Sequence, residues 1–292
     1  HVRWWLHRTD LGAPLGEAND VDCGVRGIAS LVMGGDRFDQ LLAGSTESSL
    51  FAMEVPPSGG GEAEAMLLGD FHLGRVTAAV PLSDGERFAT CGEDGALRIW
   101  SMAGSLEAKR QFGTVQNCLA SNENTMCIVM GSNTGVVRVL NMSDLASLPV
   151  TFCSKLHKEP VLHVAFSPTA SMLMSYAADG RLFICTMVGS VVRVQGFLSP
   201  PGPGPLLSMA WAGIDEESSM IVASMSSGEI MGIMPPAWGT VVPESLQYGP
   251  RDYTIRRVKI ETVLEKITAL AGMDAPIVIG VALDKTVRRF QL

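Results

Sequence analysis

The chain has 292 residues, of which 47% are hydrophobic, and a formal net charge of −8. This much apolar material can bury a large core, so the composition excludes an intrinsically disordered chain. The acidic balance lacks the basic surface of a nucleic-acid-binding protein, and no apolar run reaches the roughly 18 residues of a membrane-spanning helix. We therefore expect neither a nucleic-acid partner nor a membrane span.

The six cysteines predict reduced, buried thiols. None forms a Cys-x-x-Cys pair, and several lie inside apolar, strand-like segments. This pattern is typical of a cytoplasmic protein without disulfide bonds or a zinc site. The cysteines are Cys23, Cys91, Cys118, Cys127, Cys153 and Cys185.

A short strand-like segment that follows a turn recurs along the whole chain. The intervals between successive copies are 40 to 57 residues, and most lie near the roughly 40–45 residues of a four-stranded propeller blade. Most copies are preceded by two further strand-like segments bounded by turn residues, which predicts an all-β repeat fold. We call these segments anchor strands; they lie at residues 2–5, 49–52, 96–100, 136–140, 181–185, 229–233 and 286–290.

The copy between residues 72 and 103 carries the most complete motif. His72 precedes Val76 by four residues, Thr90 precedes Asp94 by four, and Trp100 ends the anchor strand. In these spacings the chain resembles the WD40-repeat β-propellers. The resemblance implies that the His, Thr, Asp and Trp side chains form a hydrogen-bonded network inside one blade, where several donors make burial of an aspartate tolerable.

The other copies keep only parts of this network. His157, Ser175 and Asp179 recur in the fourth full copy, where Cys185 replaces the tryptophan. No Trp-Asp or Gly-His dipeptide occurs in the chain. The remaining aspartate positions hold Asp284 in the sixth copy, Thr134 in the third and Ser227 in the fifth.

The repeats predict a single WD40-type β-propeller domain over residues 1–292, as part of a longer chain. Six complete four-stranded blades are expected, together with the outer strand of a further blade at residues 2–5. Such an arrangement is either seven-bladed overall or one half of a double propeller. The predicted blades are residues 1–6 (outer strand only), 25–55, 72–103, 113–143, 157–188, 204–234 and 263–292.

A long insertion between residues 234 and 253 is the candidate interaction loop. It contains Trp238, Tyr248 and Arg251, and long insertions on a rigid scaffold often carry function. Two interpretations remain open: contact with a partner or neighbouring propeller, or packing across a blade edge.

The motifs of common enzyme classes are missing from the sequence. It has no phosphate-binding Gly-x-x-x-x-Gly-Lys loop and no Gly-x-Ser-x-Gly nucleophile elbow. We predict no catalytic, cofactor-binding or metal-binding residues and no cofactor. The expected function is a protein-interaction scaffold; a reader of peptides or modified residues, of the ubiquitin-ligase or chromatin type, is the alternative, and an enzyme with a site at the channel mouth is the third.

Within the propeller family, the chain resembles the cilia- and flagella-associated WD-repeat proteins. The resemblance implies a multiprotein axonemal complex and a place in the cytoplasm or in the axoneme of a cilium or flagellum. The expected partners are other proteins, including a second propeller or an upstream segment of the same chain.

Overall fold

A computed structural model describes backbone and side chains for part of the chain, and for another part only the backbone of the strands. Side chains are described for residues 72–82, 85–122, 124–199, 206–213, 220–226, 230–234 and 248–250. Elsewhere the strands at residues 2–4, 19–21, 28–34, 40–45, 50–54, 65–67, 254–256, 267–272, 277–282 and 287–291 are described by their backbone pairing.

The described residues form strands and turns, arranged in antiparallel sheets that we number I to VII in chain order. Sheet I is β1 (Val2–Trp4) and β2 (Asn19–Val21); sheet II is β3 (Ile28–Gly34), β4 (Gln40–Ser45), β5 (Leu50–Glu54) and β6 (Ala65–Leu67); sheet III is β7 (Val76–Pro81), β8 (Arg87–Gly92), β9 (Ala96–Ser101) and β10 (Leu106–Gln111). Sheet IV is β11 (Gln116–Asn122), β12 (Cys127–Ser132), β13 (Val136–Asn141) and β14 (Val150–Lys155); sheet V is β15 (Val161–Phe166), β16 (Met172–Ala177), β17 (Leu182–Val188) and β18 (Val191–Leu198). Sheet VI is β19 (Leu206–Ala212), β20 (Met220–Met225), β21 (Ile230–Met234) and β22 (Thr254–Arg256), and sheet VII is β23 (Ile267–Gly272), β24 (Ile277–Ala282) and β25 (Val287–Gln291).

In sheets II to VI, strands that are consecutive in sequence are neighbours in the sheet. In these five sheets the anchor strand is the third of four, and a fourth strand follows it outside the predicted blade limits. The motif did not predict the fourth strand, because the recurrent sequence pattern ends at the position of Trp100. Sheet VII has three strands among the described residues, and β1 pairs with β2. The number of blades and the outer position of residues 2–5 stay predictions.

Regular β-bulges show the repeat more clearly than the sequence does. In five sheets the first strand has an extra residue at its second position, and in three sheets the fourth strand has one near the position of Trp100. A bulge bends and twists a strand locally, so the repeat is conserved in backbone geometry even where its motif residues differ. The first-strand bulges fall at Ala29, Thr77, Leu162, Leu207 and Thr268, and the fourth-strand bulges at Glu107, Thr151 and Gln195.

The chain divides into two compact units. The first comprises residues 1–117 and 145–148, and the second comprises residues 118–144 and 149–292. In the first unit, Val76, Phe88 and Trp100 form a fully buried cluster. Burial of such large side chains is worth roughly 1.5–3 kcal/mol each, so this cluster holds β7, β8 and β9 together.

In the second unit, sheet V packs its two faces against two different sheets. One face carries Leu173, Phe183 and Cys185 and joins a cluster with Val129 and Val137 of sheet IV. The opposite face, rich in methionine, packs on side chains of sheet VI. Unbranched methionine side chains fill irregular gaps between twisted sheets, which explains their number here. The side chains of this second cluster include Met172, Met174, Tyr176, Met209, Trp211 and Met225.

The turn between the second and third strands depends on glycine at a fixed position. Gly135 and Gly180 both have positive φ, 81° and 73°, a region that costs an L-residue roughly 1–2 kcal/mol. They differ in their surroundings: a Cβ on Gly135 would lie 2.2 Å from the carbonyl oxygen of His157, whereas a Cβ on Gly180 would have no atom within 4 Å.

We therefore expect Gly135→Ala to destabilise the chain more than Gly180→Ala. Both variants meet the backbone strain, but only Gly135→Ala also overpacks, which adds about 1–3 kcal/mol. The free energy of unfolding from urea titration measures both. Equal losses would show that residue 135 does not approach residue 157 closely.

Candidate functional site: buried histidine–aspartate networks

In sheet III, the structure places His72, Thr90, Asp94 and Trp100 in one connected set of hydrogen bonds. His72 precedes β7, Thr90 lies on β8, Asp94 lies in the turn between β8 and β9, and Trp100 lies on β9. His72 Nδ1 is 2.9 Å from Asp94 Oδ1, and His72 Nε2 is 2.8 Å from Thr90 Oγ1. Trp100 Nε1 donates to Thr90 Oγ1 at 2.8 Å. The network thus joins β8, β9, the turn between them and the segment that precedes β7.

One arrangement of protons gives each hydrogen in this chain of bonds an acceptor. The indole N–H of Trp100 can only donate, so Thr90 Oγ1 accepts it and donates its own hydrogen to His72 Nε2. The imidazole proton then sits on Nδ1 and is donated to Asp94 Oδ1. Neutral His72 is therefore the form that fits the network.

Asp94 is buried and fully supplied with donors. Its side chain is 7% exposed. Besides His72, its carboxylate accepts the backbone N–H of Leu73 at 3.0 Å, that of Ala96 at 3.1 Å, and Arg98 Nη1 at 2.7 Å. Burial alone would raise the pKa of Asp94, but the donors His72 and Arg98 and the two amides outweigh it, so the pKa is well below its usual value.

Arg98 is a member of this network that sequence reasoning missed. Its side chain is 2% exposed, and Nη1 lies 2.6 Å from His72 Nδ1. With the imidazole proton on Nδ1 both nitrogens are donors, so the hydrogen bond of Nη1 is the one to Asp94 Oδ2. Burial of His72, together with the positive charge of Arg98, lowers the imidazole pKa from 6.5 despite the hydrogen bond to Asp94. The sequence contained a signal for it: residue 98 lies two positions before Trp100 on β9, and residues two apart on a strand point to the same face of the sheet.

Sheet V repeats the network without the arginine and the tryptophan. His157 Nε2 is 2.9 Å from Ser175 Oγ, and His157 Nδ1 is 3.2 Å from Asp179 Oδ1. The aspartate also accepts the backbone N–H groups of Lys158 and Arg181, both at 3.1 Å. These two amides correspond in position to those of Leu73 and Ala96 in sheet III, so the backbone part of the network is unchanged.

Apolar groups occupy the two vacated positions in sheet V. Phe183 stands where Arg98 stands in sheet III, and its ring meets His157 edge-on at 5.0 Å between centroids. Cys185 stands in the tryptophan position and is 1% exposed; burial raises the pKa of its thiol to about 12. Burial likewise lowers the pKa of His157, against the opposing influence of Asp179.

Sheet IV replaces the aspartate by a different residue than the sequence predicts. Ser132 Oγ, not the side chain of Thr134, accepts the backbone N–H of Val136 at 3.1 Å, and the two hydroxyl groups are 3.0 Å apart. This serine is fully buried. The motif spacing places Thr134 at the position of the aspartate, but in the structure its hydroxyl meets Ser132 Oγ, which bonds the Val136 amide.

The candidate interaction loop is described at one end only. Tyr248 is 55% exposed, and the carbonyl oxygen of Gly249 accepts the backbone N–H of Phe197 on β18. The other residues predicted for this loop or for the networks lie outside the described residues: Trp238, Arg251, Asp284 and Ser227.

The arrangement of these side chains is suited to stabilising the sheets rather than to catalysing a reaction. The two histidines and two aspartates are almost fully buried and bonded to each other and to the backbone. Over the described ranges, no group of three or more His, Cys, Asp or Glu side chains could hold a metal ion. The same part of the chain contains no helix with the length and apolar character to cross a lipid bilayer.

We expect Thr90→Val to be strongly destabilising and Thr151→Val to be nearly neutral. Removal of the Thr90 hydroxyl leaves the buried Trp100 N–H and His72 Nε2 without a partner, each worth about 1–3 kcal/mol. Thr151 undergoes the same change of shape on the exposed side of β14, where its hydroxyl makes one 3.3 Å bond to Val139 O. Comparable unfolding free energies for the two variants would mean that Thr90 is not part of a closed network.

Stability should fall as the pH drops from 7 to 5. His72 and His157 have lowered pKa values in the folded chain, so below about pH 6.5 the unfolded chain binds more protons at these two residues than the folded chain does. The slope is at most about 1.4 kcal/mol per pH unit for each histidine. Urea unfolding at several pH values measures it, and His157→Asn should reduce the slope. A stability that rises towards pH 5 would show that the histidines are charged when folded.

Comparison with known proteins supports this interpretation of sheet III. Residues 68–101 match the family model of the WD domain, G-beta repeat. Cilia- and flagella-associated protein 43 of Chlamydomonas reinhardtii is 33% identical over 221 residues, which is 70% of this chain and 13% of that protein. WD repeat-containing protein 90 of Xenopus tropicalis is 32% identical over 121 residues, covering 36% of this chain and 6% of that protein. The chain thus spans a small part of the length of these relatives.

Solved structures show the same fold at low sequence identity. The β-propeller domain of Myceliophteria thermophila Cps50 (Swd1) matches 97% of this chain and 88% of its own length, with a TM-score of 0.66 and 9% identity. A chain of the mitotic checkpoint complex matches 97% of this chain and 79% of its own length, with a TM-score of 0.69 and 14% identity. Repeat sequence and fold agree, and the chain is a WD40-type β-propeller.

Proposed function

We propose that this propeller is a non-enzymatic scaffold that holds proteins together in a ciliary or flagellar assembly. The observation that carries the proposal is the 33% identity over 221 residues with cilia- and flagella-associated protein 43. Proteins with WD40 propellers generally bind other proteins, and a propeller by itself dictates no chemistry. The expected partners are therefore proteins of the axoneme, and the expected location is the cilium.

The networks support a binding role because they fix the loops that would make contact. The N–H of Leu73 and that of Lys158 each bond to the buried aspartate of their own sheet, while both side chains point to the surface. Leu73 is 85% exposed. A loop already held in one conformation loses little entropy on binding, so each network prepares a surface residue for a partner.

The polar groups that an enzyme would use are already engaged in this part of the chain. His72 and His157 each bond to a hydroxyl on one side and to a carboxylate on the other. A general base needs a free lone pair within reach of a substrate, and a buried, doubly bonded imidazole does not offer one. These contacts support a scaffold over an enzyme.

The test is whether the full-length protein that carries this propeller associates with axonemes. Tagged protein expressed in ciliated cells should remain with axonemes after detergent extraction, and crosslinking there should capture axonemal proteins. A tagged protein that is washed out with the soluble fraction would contradict the ciliary proposal.

A matched pair of surface variants tests the binding face. Leu73→Asp should reduce retention on axonemes several-fold, because it places a charge on a preorganised loop beside the network. Val188→Asp is the control, since Val188 is also exposed, at 78%, but is the last residue of β17, where the chain turns to β18. Equal losses from the two variants, or a loss from Val188→Asp alone, would contradict the role of the Leu73 loop.

A further inference from the structure

The outermost strand of sheet V already pairs with a segment from elsewhere in the chain. Phe197 of β18 donates its backbone N–H to the carbonyl oxygen of Gly249 at 3.0 Å, and Phe197 and Pro250 form a parallel β-bridge. We call residues 248–250 the strap and the outward-facing backbone of β18 the β18 edge. The strap thus acts as a one-bridge strand on that edge.

The backbone at Phe197 is held in a fixed position from inside the sheet. The Phe197 ring lies 5.4 Å from the ring of Phe183 and under the guanidinium of Arg181, 4.5 Å from Cζ to the centroid. Phe183 in turn contacts His157. A backbone N–H and carbonyl that are fixed in this way form a preorganised strand edge, to which an extended peptide can add by main-chain hydrogen bonds.

The fourth strand of sheet III uses a side chain where β18 uses backbone pairing. Arg110 of β10 donates its guanidinium to the carbonyl oxygens of Ser147, at 2.8 Å, and Leu148. Among the described residues, the parallel bridge outside the named strands is the one at Phe197, so the β18 edge is distinct in accepting another backbone.

The strap itself shows what kind of segment the edge accepts. It runs parallel to β18, it has glycine and proline at the pairing positions, and its tyrosine side chain is 55% exposed. Among the residues that the structure describes, one hydrogen bond and one bridge hold the strap on this edge, and a contact of this size opens at low cost. The side chains of Val191 and Arg193 on the same strand are exposed, and the bulge at Gln195 interrupts regular pairing between them and Phe197. The segment that the edge accepts is therefore short.

We propose that the β18 edge is a strand-addition site for an extended peptide segment of a partner protein, and that the strap occupies this site until the partner displaces it. The partner segment runs parallel to β18 and has a small residue or proline opposite Phe197. The inference rests on the proposed scaffold function, for which it supplies one specific contact. Because it concerns one edge, the scaffold could still bind through its loops if the edge bound nothing.

The strap sequence in trans is the probe. A fluorescent peptide of residues 245–253 is titrated against the intact chain and against a variant in which these nine residues are replaced by a length-matched glycine–serine sequence. The peptide should bind the variant and slow deuterium uptake at the Phe197 amide. The intact chain should bind about tenfold more weakly or worse, because the tethered strap competes at a high effective concentration. A scrambled peptide should bind neither.

Three results would overturn the proposal: no binding to the folded variant, equal affinity for both chains, or binding without protection of the Phe197 amide. Circular dichroism checks that the variant is folded. If it is not, Pro250→Asp replaces it and should speed deuterium uptake at Phe197 and raise peptide affinity several-fold; an unchanged affinity contradicts the proposal. Axoneme retention is measured separately, so failure at the β18 edge and failure of the scaffold function are distinguishable.

Discussion

The architecture of sheets III and V depends on the burial of one aspartate carboxylate in each sheet. An ionised aspartate that is 7% exposed is tolerable only when hydrogen-bond donors replace the water it loses. Asp94 obtains these donors from two segments, the loop before β7 (His72 and Leu73) and β9 (Ala96 and Arg98). Because the donors come from separate segments, the carboxylate cannot be satisfied unless all of them are in place, and one polar group thereby couples the start of the sheet to its central hairpin.

Sheet V shows which part of this arrangement is indispensable. It keeps the two backbone amides, the histidine and a hydroxyl, but exchanges the buried arginine for Phe183 and the tryptophan for Cys185. A buried ion pair carries a desolvation penalty that well-packed apolar groups avoid, so the exchange need not weaken the sheet. What persists between the two sheets is the set of bonds that closes the backbone around the aspartate. The charged partner is optional, and backbone closure around the aspartate is the property that sheets III and V share.

The sequence was sufficient to predict the residues whose spacing is set by the backbone. His72, Thr90, Asp94 and Trp100 lie at fixed offsets because each must reach the same buried point from a strand of defined length. Arg98 and Ser132 were missed for a different reason. Their roles depend on which side chain can fill the space that remains around the aspartate position, and this space is determined by tertiary packing rather than by offsets along one chain segment.

The fourth strands and the strap contact carry even less sequence signal. A strand at the sheet surface, such as β14 with its alternation of half-buried and exposed residues, is constrained on one face only, so many sequences satisfy it. The contact between Phe197 and Gly249 involves backbone atoms, which every residue except proline supplies alike. Such pairing leaves no pattern in the amino-acid sequence. It is visible only once the strands have been placed.

This difference between inner and outer strands suits a protein that can acquire new binding partners while its fold stays the same. Inner positions must satisfy buried polar groups and dense packing, and most changes there cost stability. The outer strands need only avoid uncontrolled pairing of their exposed edges, which the bulges at Glu107 of β10 and Thr151 of β14 help to prevent. The segment that pairs with the edge of an outer strand can thus be exchanged for another without a change in the buried hydrogen-bond network. On β18 one residue, Phe197, belongs to both regions: its ring packs against the core, and its backbone pairs with the strap at the edge.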